Sequence, residues 1–132
     1  MILTKFKVPK NTDEVIIVTA LIEGKYEFDL AFDTAATHTT IDSNGLFMSG
    51  YRLKDSFGET EIETSNGIVK VDLHKIKNFE CLGITKDKIQ IQVYDFEAHD
   101  VTSDYDGVLG INFLKDHKFC IDMIKGEITI NP

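Results

Sequence analysis

The sequence predicts an all-β protein, in the form of a closed, mostly antiparallel β-barrel with one short helix near the C-terminus. Three observations predict this fold class. Many short stretches alternate or are rich in β-branched residues, turn residues recur between them, and almost no stretch has a helical period. The chain has 132 residues and no internal repeat. A chain of this length buries roughly two thirds of its unfolded surface, so we expect one domain over residues 1–132.

The N-terminal part predicts an edge strand and then a hairpin. Residues 2–8 alternate loosely and stop at Pro9, which favours an edge strand or a terminal arm. Residues 15–22 form a β-branched run that fits a well-buried strand, and a turn at residues 23–25 leads into the next strand. In that next strand apolar and polar side chains alternate, with one face formed by Tyr26, Phe28, Leu30 and Phe32.

The remaining elements are short. Residues 39–41 predict a short strand, after which Asp42 or Ser43 is placed to cap one helical turn. Residues 88–96 alternate again, and residues 111–116 are the stretch that predicts the short helix. Two last strands are expected at residues 119–123 and 127–130, on either side of a Lys125-Gly126 turn.

Residues 59–76 form the clearest hairpin of the chain. On its first arm glutamates alternate with Thr60, Ile62 and Thr64, and its second arm follows the dipeptide Asn66-Gly67. Asn-Gly favours a tight type I′ turn because both residues adopt positive φ readily. The glutamate-rich arm predicts a hairpin that projects into solvent. Taken alone, these residues favour an ordinary surface hairpin.

Composition and charge exclude several classes of partner. The formal net charge is −8 and the Lys and Arg residues are scattered, so we expect no nucleic-acid partner. No apolar run approaches the roughly 20 residues that cross a bilayer, and residues 1–5 lack the features of a signal peptide. We therefore expect no membrane partner and a cytoplasmic location. Cys81 and Cys120 lie among apolar neighbours, which predicts buried free thiols.

We expect neither a metal nor another cofactor. In the acidic loop at residues 99–106, Asp100, Asp104 and Asp106 precede a glycine and resemble part of a calcium-binding loop. The full spacing and the closing glutamate of such a loop are missing. The four histidines share no spacing and have no nearby cysteine pair, which disfavours zinc.

Asp33 is the candidate catalytic residue. It ends an apolar strand and heads a run of small residues, D-T-A-A-T at residues 33–37. A carboxylate between large apolar side chains and a tight turn is placed to be partly desolvated, which is common at functional sites. The ordinary alternative is an aspartate that ends a strand and begins a turn.

Two separated motifs resemble those of aspartic proteases. The sequence F-D-T-A-A-T at residues 32–37 is similar to the active-site signature apolar-apolar-Asp-Thr-Gly-Ala-(Ser/Thr), with Ala35 where the family usually has glycine. The sequence D-G-V-L-G-I-N-F-L at residues 106–114 resembles the family's apolar-apolar-Gly segment and the short helix after it. In length and motif order the match is to the retropepsin-like, single-domain branch and covers roughly residues 12 to 131.

The resemblance implies the acid-protease barrel and a symmetric homodimer. Acid hydrolysis of a peptide bond needs two carboxylates that share one proton, and this chain contains one Asp-Thr-small motif. In the family, two chains meet about a two-fold axis and each contributes one aspartate. The implied function is that of an aspartic endopeptidase, which hydrolyses peptides or proteins with two Asp33 carboxylates and an activated water.

The resemblance also implies roles for other residues. Thr34 would form a hydrogen bond across the two-fold axis, and Ala35 and Ala36 would line the floor of the cleft. The loop would be supported from behind by Val108, Leu109 and Gly110. The hairpin at residues 59–76 would be the flap that closes over substrate, with Gly67 near its tip. The residues expected to contact substrate are Thr37, His38, Asn66, Gly67 and Ile68.

Ala35 leaves two alternatives open. If its position requires a backbone angle that only glycine adopts, the methyl group strains the loop by about 1 kcal/mol or more. If the angle is ordinary, the methyl group merely narrows the cleft floor. The main competing function is therefore a non-catalytic dimeric module that keeps the fold and binds extended peptides. An unrelated small barrel with an apolar ligand would account for the strands but not for the two ordered motifs.

Overall fold

The computed structural model describes residues 1–64, 67–96 and 104–131. Short strands dominate these residues, and the helical segments are two short α-helices and one 3₁₀ turn. The strands are β1 (Ile2–Lys5), β2 (Ile17–Ile22), β3 (Tyr26–Phe32), β4 (Thr40–Asp42), β5 (Gly58–Thr64), β6 (Gly67–Ile76), β7 (Phe79–Cys81), β8 (Ile84–Lys86), β9 (Ile89–Tyr94), β10 (Gly107–Leu109), β11 (Lys118–Asp122) and β12 (Glu127–Asn131). The helical segments are α1 (Ser43–Met48), the 3₁₀ turn (Leu53–Asp55) and α2 (Ile111–Leu114).

The strands form two sheets. The larger sheet has the order β5-β6-β9-β4-β10-β3-β2-β7-β8, and the smaller has the order β1-β12-β11. The predicted closed barrel is not found in the part of the chain that the structure describes, because β5 and β8 remain unpaired edges of the larger sheet. The terminal strands pair with each other in the smaller sheet and do not close the larger one. The prediction of a mostly antiparallel β protein is confirmed, with parallel pairing between β10 and β3 and between β4 and β9.

The core lies where the alternating faces of the strands meet. Fully buried side chains come from β2, β3, β4, β6, β7, β9, β10 and β12, and both α-helices add to them. The predicted apolar face of β3 is confirmed, since Phe28 and Leu30 are buried while Glu27 and Asp29 are exposed. Phe79 packs edge-on against Phe113 of α2, with ring centroids 5.5 Å apart, so the core reaches the helix that follows β10.

The hairpin of β5 and β6 has the predicted arms but a shifted turn. Thr60 pairs with Val71 and Ile62 with Val69, as the alternation predicted. Thr64 pairs with Gly67, so Gly67 is the first residue of β6 and not a central residue of the turn. Gly67 still has a positive φ of 110°, which an L side chain rarely adopts, and the Thr64 hydroxyl donates to its carbonyl oxygen at 2.9 Å.

Several local expectations need correction. The hairpin of β7 and β8 was not expected, and its turn requires positive φ at Leu82 and Gly83. Asp42 is the N-cap residue of α1, but its side chain forms no cap hydrogen bond. Its Oδ1 accepts a hydrogen bond from the Phe96 amide instead. Of the two free cysteines, Cys81 is buried as predicted, whereas Cys120 is exposed because β11 is an edge strand of the small sheet.

Some sequence-based expectations fall on residues that the structure does not describe. Asn66 and most of the acidic loop, including His99 and Asp100, lie outside the described residues. Within the described ranges, no group of three or more His, Cys, Asp or Glu residues is arranged to hold a metal ion. Among the same residues, none of the helices has the length and apolar character needed to cross a bilayer.

Candidate active site

The candidate active site lies where β10 separates two strands that follow each other in the sequence, β3 and β4. β3 and β4 are consecutive in sequence, but β10 lies between them in the sheet. β10 pairs in parallel with β3 and antiparallel with β4. The loop of residues 33–39, which joins β3 to β4, must therefore cross the end of β10. We call these seven residues the catalytic loop, after the catalytic role expected for Asp33.

Asp33 begins the catalytic loop and is held at its backbone and side chain. Its amide donates to the carbonyl oxygen of Leu109 on β10 at 3.2 Å. Its carboxylate Oδ1 accepts from the amide of Ala35 at 2.8 Å, and its carbonyl accepts from the amide of Ala36 at 3.3 Å. The carboxylate is thereby oriented by the turn that follows it. Thr34 and Ala35 are exposed at the top of this turn.

The middle of the catalytic loop is anchored to the start of α2. The amide of Ile111 donates to the carbonyl of Ala36 at 2.8 Å, and the amide of Asn112 donates to the carbonyl of Thr37 at 3.2 Å. Amides in the first turn of a helix have no partner within the helix, so the loop supplies the acceptors they need. The loop conformation and the helix start consequently depend on each other.

Thr39 and Asn112 tie the end of the catalytic loop to α2, and the sequence analysis assigned a role to neither. Thr39 donates to Asn112 Oδ1 from both its amide, at 2.7 Å, and its hydroxyl, at 2.9 Å. The Thr39 hydroxyl also accepts from the amide of Gly110 at 3.1 Å. Asn112 Nδ2 donates to the carbonyl of Gln90 at 2.7 Å. The asparagine just after the Gly110 motif is visible in the sequence. Its role could not be predicted, because its partner Thr39 is distant in sequence.

Close backbone contact explains the glycines of the second motif. A Cβ atom at Gly110 would lie 2.5 Å from the His38 carbonyl carbon and 2.8 Å from the Thr39 nitrogen. A Cβ atom at Gly107 would overlap the Thr40 carbonyl oxygen. Only glycine permits this approach. Leu109 is fully buried and accepts the Asp33 amide, and Gly110 lies against the loop backbone. Val108 is half-buried and pairs with Ala31 and Thr40, just outside the loop.

Ala35 adopts an ordinary backbone conformation. The described non-glycine residues with positive φ are elsewhere in the chain, and Ala35 is not among them. Its methyl group therefore needs no conformation that disfavours L residues. Of the two alternatives that the sequence left open for this position, the structure supports the unstrained one.

A cleft of about 460 Å³ separates the catalytic loop from the hairpin. The loop side includes Thr37 and His38, as the resemblance implied, together with Ala35, Ala36 and Thr40. The hairpin side is formed by four consecutive residues of β5, namely Thr60, Glu61, Ile62 and Glu63. Gly67 and Ile68 were expected to contact substrate but do not line this cleft. The sequence analysis did not predict that β5 and Gln92 line the cleft.

Two further contacts support the site from outside the loop. Phe32, the residue before Asp33, packs edge-on against Phe119 of β11, with ring centroids 5.7 Å apart. Lys86 Nζ donates to the carbonyl oxygen of Phe113 in α2 at 2.6 Å and lies over the same residue's ring. Burial lowers the pKa of the Lys86 ammonium. The strand before Asp33 is thus packed against the terminal sheet, and α2 is held at its end by a lysine.

Comparisons with known proteins agree with this geometry. The sequence matches the family model described as "Aspartyl protease" over residues 18–113. The fold resembles the crystal structure of a retropepsin-like aspartic protease from Rickettsia conorii, with a TM-score of 0.69, 18% sequence identity and 98% of each chain covered. No curated protein matches the sequence significantly. Because the family model covers well over half of the chain, the protein belongs to the aspartyl protease family, and its fold is retropepsin-like.

Proposed function

We propose that the protein is an aspartic endopeptidase that acts as a homodimer, in which each chain contributes Asp33 to a catalytic dyad. The observation that carries the proposal is the placement of Asp33 at the head of a loop that is fixed from behind by β10 and α2. Of its two carboxylate oxygens, Oδ1 accepts the Ala35 amide. Within the described residues Oδ2 has no hydrogen-bond partner, so it is free to meet a water or a second carboxyl group.

The proposed chemistry uses both carboxyl groups in turn. One Asp33, ionised, takes a proton from a water while that water attacks the carbonyl carbon of the peptide bond. The other, protonated, donates to the carbonyl oxygen and stabilises the tetrahedral intermediate. A proton then passes to the leaving amine as the C–N bond breaks. The proposed dyad therefore needs one proton, which its two carboxyl groups share.

The surrounding residues have supporting roles in this proposal. Thr34, exposed at the top of the turn, forms the hydrogen bond across the two-fold axis that locks the two loops together. Ala35 and Ala36 form the cleft floor, Thr37 and His38 form one wall, and the backbone pairs with an extended substrate. The β5–β6 hairpin acts as the flap. Gly67 and Ile68 lie toward its tip and would contact substrate there. Asn66, which was expected to act with them, is outside the described residues.

The competing function is a dimeric module that binds extended peptides without cleaving them. Its support in the sequence was Ala35, in the position where the family usually has glycine. The ordinary backbone of Ala35 weakens that reason, since the methyl group brings no strain to the loop. Inhibition by a mimic of the tetrahedral diol separates the two functions, because only a catalyst is expected to favour the transition-state geometry over the substrate.

Asp33→Asn is the direct test of the catalytic role. The variant keeps the shape of the side chain but removes the base and the shared proton, so peptide cleavage should fall by about 10² to 10⁴ or more. The matched control is Asp87→Asn, which removes one exposed carboxylate from the bend between β8 and β9, outside the catalytic loop and the cleft lining. Circular dichroism should show the same fold for both variants. Cleavage by Asp33→Asn at the wild-type rate would exclude Asp33 as the catalyst.

Dilution tests the homodimer separately. If each active site needs two chains, the specific rate should fall as the protein is diluted through the dimer dissociation constant. Analytical ultracentrifugation over the same range should show monomers appearing as the activity is lost. A constant specific rate in a solution of monomers would rule out the shared dyad.

A further inference from the structure

The hairpin side of the cleft presents an unusual combination of a free strand edge and two unpaired carboxylates. β5 pairs with β6 on one side only and is an edge of the nine-stranded sheet. Residues 60–63 all line the cleft, although successive side chains of a strand point to opposite faces. The cleft is therefore bordered by the edge of β5 and not by one of its faces. A free strand edge next to a catalytic loop suits an extended peptide that adds as a further strand.

Glu61 and Glu63 are the acidic residues of this cleft. Both are exposed, and neither has a hydrogen bond or an ion pair with any other described residue. In the hairpin register Lys70 stands opposite Glu61, but Ile68 stands opposite Glu63. His38 is the only other titratable side chain that lines the cleft. Among the described residues that line the cleft, negative charge is therefore in excess, and it lies on one face of β5.

We propose that Glu61 and Glu63 make the protein selective for peptides with two cationic side chains separated by one residue, a Lys-x-Lys or Arg-x-Arg pattern. The inference rests on the proposed function of the cleft. A peptide paired with the β5 edge places its i and i+2 side chains on the face where Glu61 and Glu63 lie. Directly opposed side chains on neighbouring strands have Cβ atoms about 5 Å apart, which is within reach of an ion pair. In the dimer, the second copy supplies a second such edge.

The one-residue spacing between the two cationic side chains distinguishes this recognition from general electrostatic attraction. The whole protein has a net charge of −8 and would draw any cationic peptide toward it. General attraction depends on the peptide's total charge and not on where its lysines stand. Pairing with Glu61 and Glu63 requires one intervening residue, because adjacent side chains of an extended peptide point to opposite faces. A peptide with two adjacent lysines therefore matches the charge but not the pattern.

The test compares three peptides that share one cleavable core. On one side of the scissile bond they carry Lys-x-Lys, Lys-Lys-x, or Gln-x-Gln. The kcat/KM of wild type should be highest for Lys-x-Lys, with a gain of about two- to fivefold for each glutamate engaged. Glu61→Gln and Glu63→Gln should each reduce the preference, and the double variant should abolish it. Glu59→Gln, which removes the next glutamate of the same strand face outside the cleft, should keep it.

Peptide binding and peptide cleavage are measured separately, so the inference is tested independently of the proposed catalysis. Fluorescence anisotropy with Asp33→Asn measures binding of the same three peptides without cleavage, and should rank them in the same order. Equal binding and equal cleavage of Lys-x-Lys and Lys-Lys-x would overturn the inference, even in a protein that is an active protease. A loss of preference in Glu59→Gln as large as that in Glu61→Gln would also overturn it, since the effect would then be long-range. If wild type cleaves none of the peptides, the anisotropy ranking alone decides the inference.

Discussion

The catalytic loop and the β5–β6 hairpin border the same cleft but are held in opposite ways. The loop is hydrogen-bonded to β10 and α2 along its length, and at Gly110 there is no room even for a methyl group. At Gly67 of the hairpin, an added Cβ atom would meet nothing within 4 Å. Ile68 beside it is 69% exposed. One wall of the cleft is fixed by the core, and the other is supported mainly by its own strand pairing.

This difference suits the different tasks that the two walls have in the proposed function. Positioned catalytic groups lose much of their effect when displaced by about 1 Å, so the role proposed for Asp33 requires a rigid loop. A wall that admits an extended peptide must open, and elements that open come from the less tightly packed parts of a fold. We therefore expect substitutions in the loop to affect folding and catalysis together, and substitutions near the hairpin tip to affect catalysis more than folding.

Gly110→Ala should have the largest effect on stability. The new methyl group would contact the backbone of His38 and Thr39, which cannot move without displacing the catalytic loop. We expect the free energy of unfolding to fall by about 3 kcal/mol and kcat/KM to fall by at least about 100-fold. Urea denaturation and peptide cleavage measure the two effects.

The matched control is Gly58→Ala at the start of β5. Its Cβ atom would have Leu73 Cδ1 at 4.0 Å as its nearest neighbour, which is ordinary contact. Stability and activity should stay close to wild type. If Gly110→Ala were tolerated as well as Gly58→Ala, the close support behind the loop would not matter for the site.

His74 should make the hairpin's second strand sensitive to acid. It is fully buried on β6, and neither ring nitrogen has a partner among the described residues. Burial lowers the pKa of His74 from its ordinary value of 6.5, and the nearby carboxylates of Asp72 and Asp55 only partly oppose this. The unfolded chain then binds the proton more readily than the folded chain. Stability should fall as the pH drops below about 6.5, by at most about 1.4 kcal/mol per pH unit, until the folded pKa is passed.

His74→Leu should remove this contribution while keeping an apolar side chain in the core. Urea denaturation of both proteins from pH 8 to pH 5 measures it. The curves should run parallel above about pH 7 and diverge below it, with wild type losing stability faster on acidification. Parallel curves over the whole range would show that His74 does not titrate with folding.

Gly67→Ala should change catalysis through the hairpin alone. Gly67 and Gly50 both have positive φ, at 110° and 98°, and both stand in open space. Alanine should therefore cost about 1 kcal/mol of stability at either position. Only Gly67 is next to the hairpin turn, so we expect a fall in kcat/KM of about fivefold for Gly67→Ala and none for Gly50→Ala. The same kinetic effect in both variants would mean that the hairpin is not a flap.

Ala35→Gly should have the smallest effect. Because Ala35 has an ordinary backbone conformation, glycine relieves no strain and adds freedom to the unfolded chain. We expect a loss of about 0.5 kcal/mol of stability and a kcat/KM within about twofold of wild type. A large gain in activity would reveal strain at this position and would revive the alternative of a non-catalytic module.

Most of the strands could be predicted because they depend on local alternation. The resemblance of the two motifs also led to the expectation that residues 108–110 lie behind the catalytic loop, and Leu109 and Gly110 contact it. The sequence could not predict the open edges at β5 and β8, because sheet closure depends on pairing between distant strands. For the same reason it missed the bonds between Thr39 and Asn112, which are 73 residues apart. The hairpin turn was placed one residue too late, since the favourable φ values of Asn-Gly do not by themselves determine the register.

The central claim is that one active site takes one Asp33 from each of two chains. Mixing wild type with Asp33→Asn, under conditions that allow exchange of chains, tests it directly. Mixed dimers should be inactive, so activity at constant total protein should follow the square of the wild-type fraction. An equal mixture should then retain about one quarter of the wild-type rate, provided that the two chains pair at random. A rate of about one half, in linear proportion to the wild-type chain, would contradict a shared dyad, since it would mean that each chain carries a complete site.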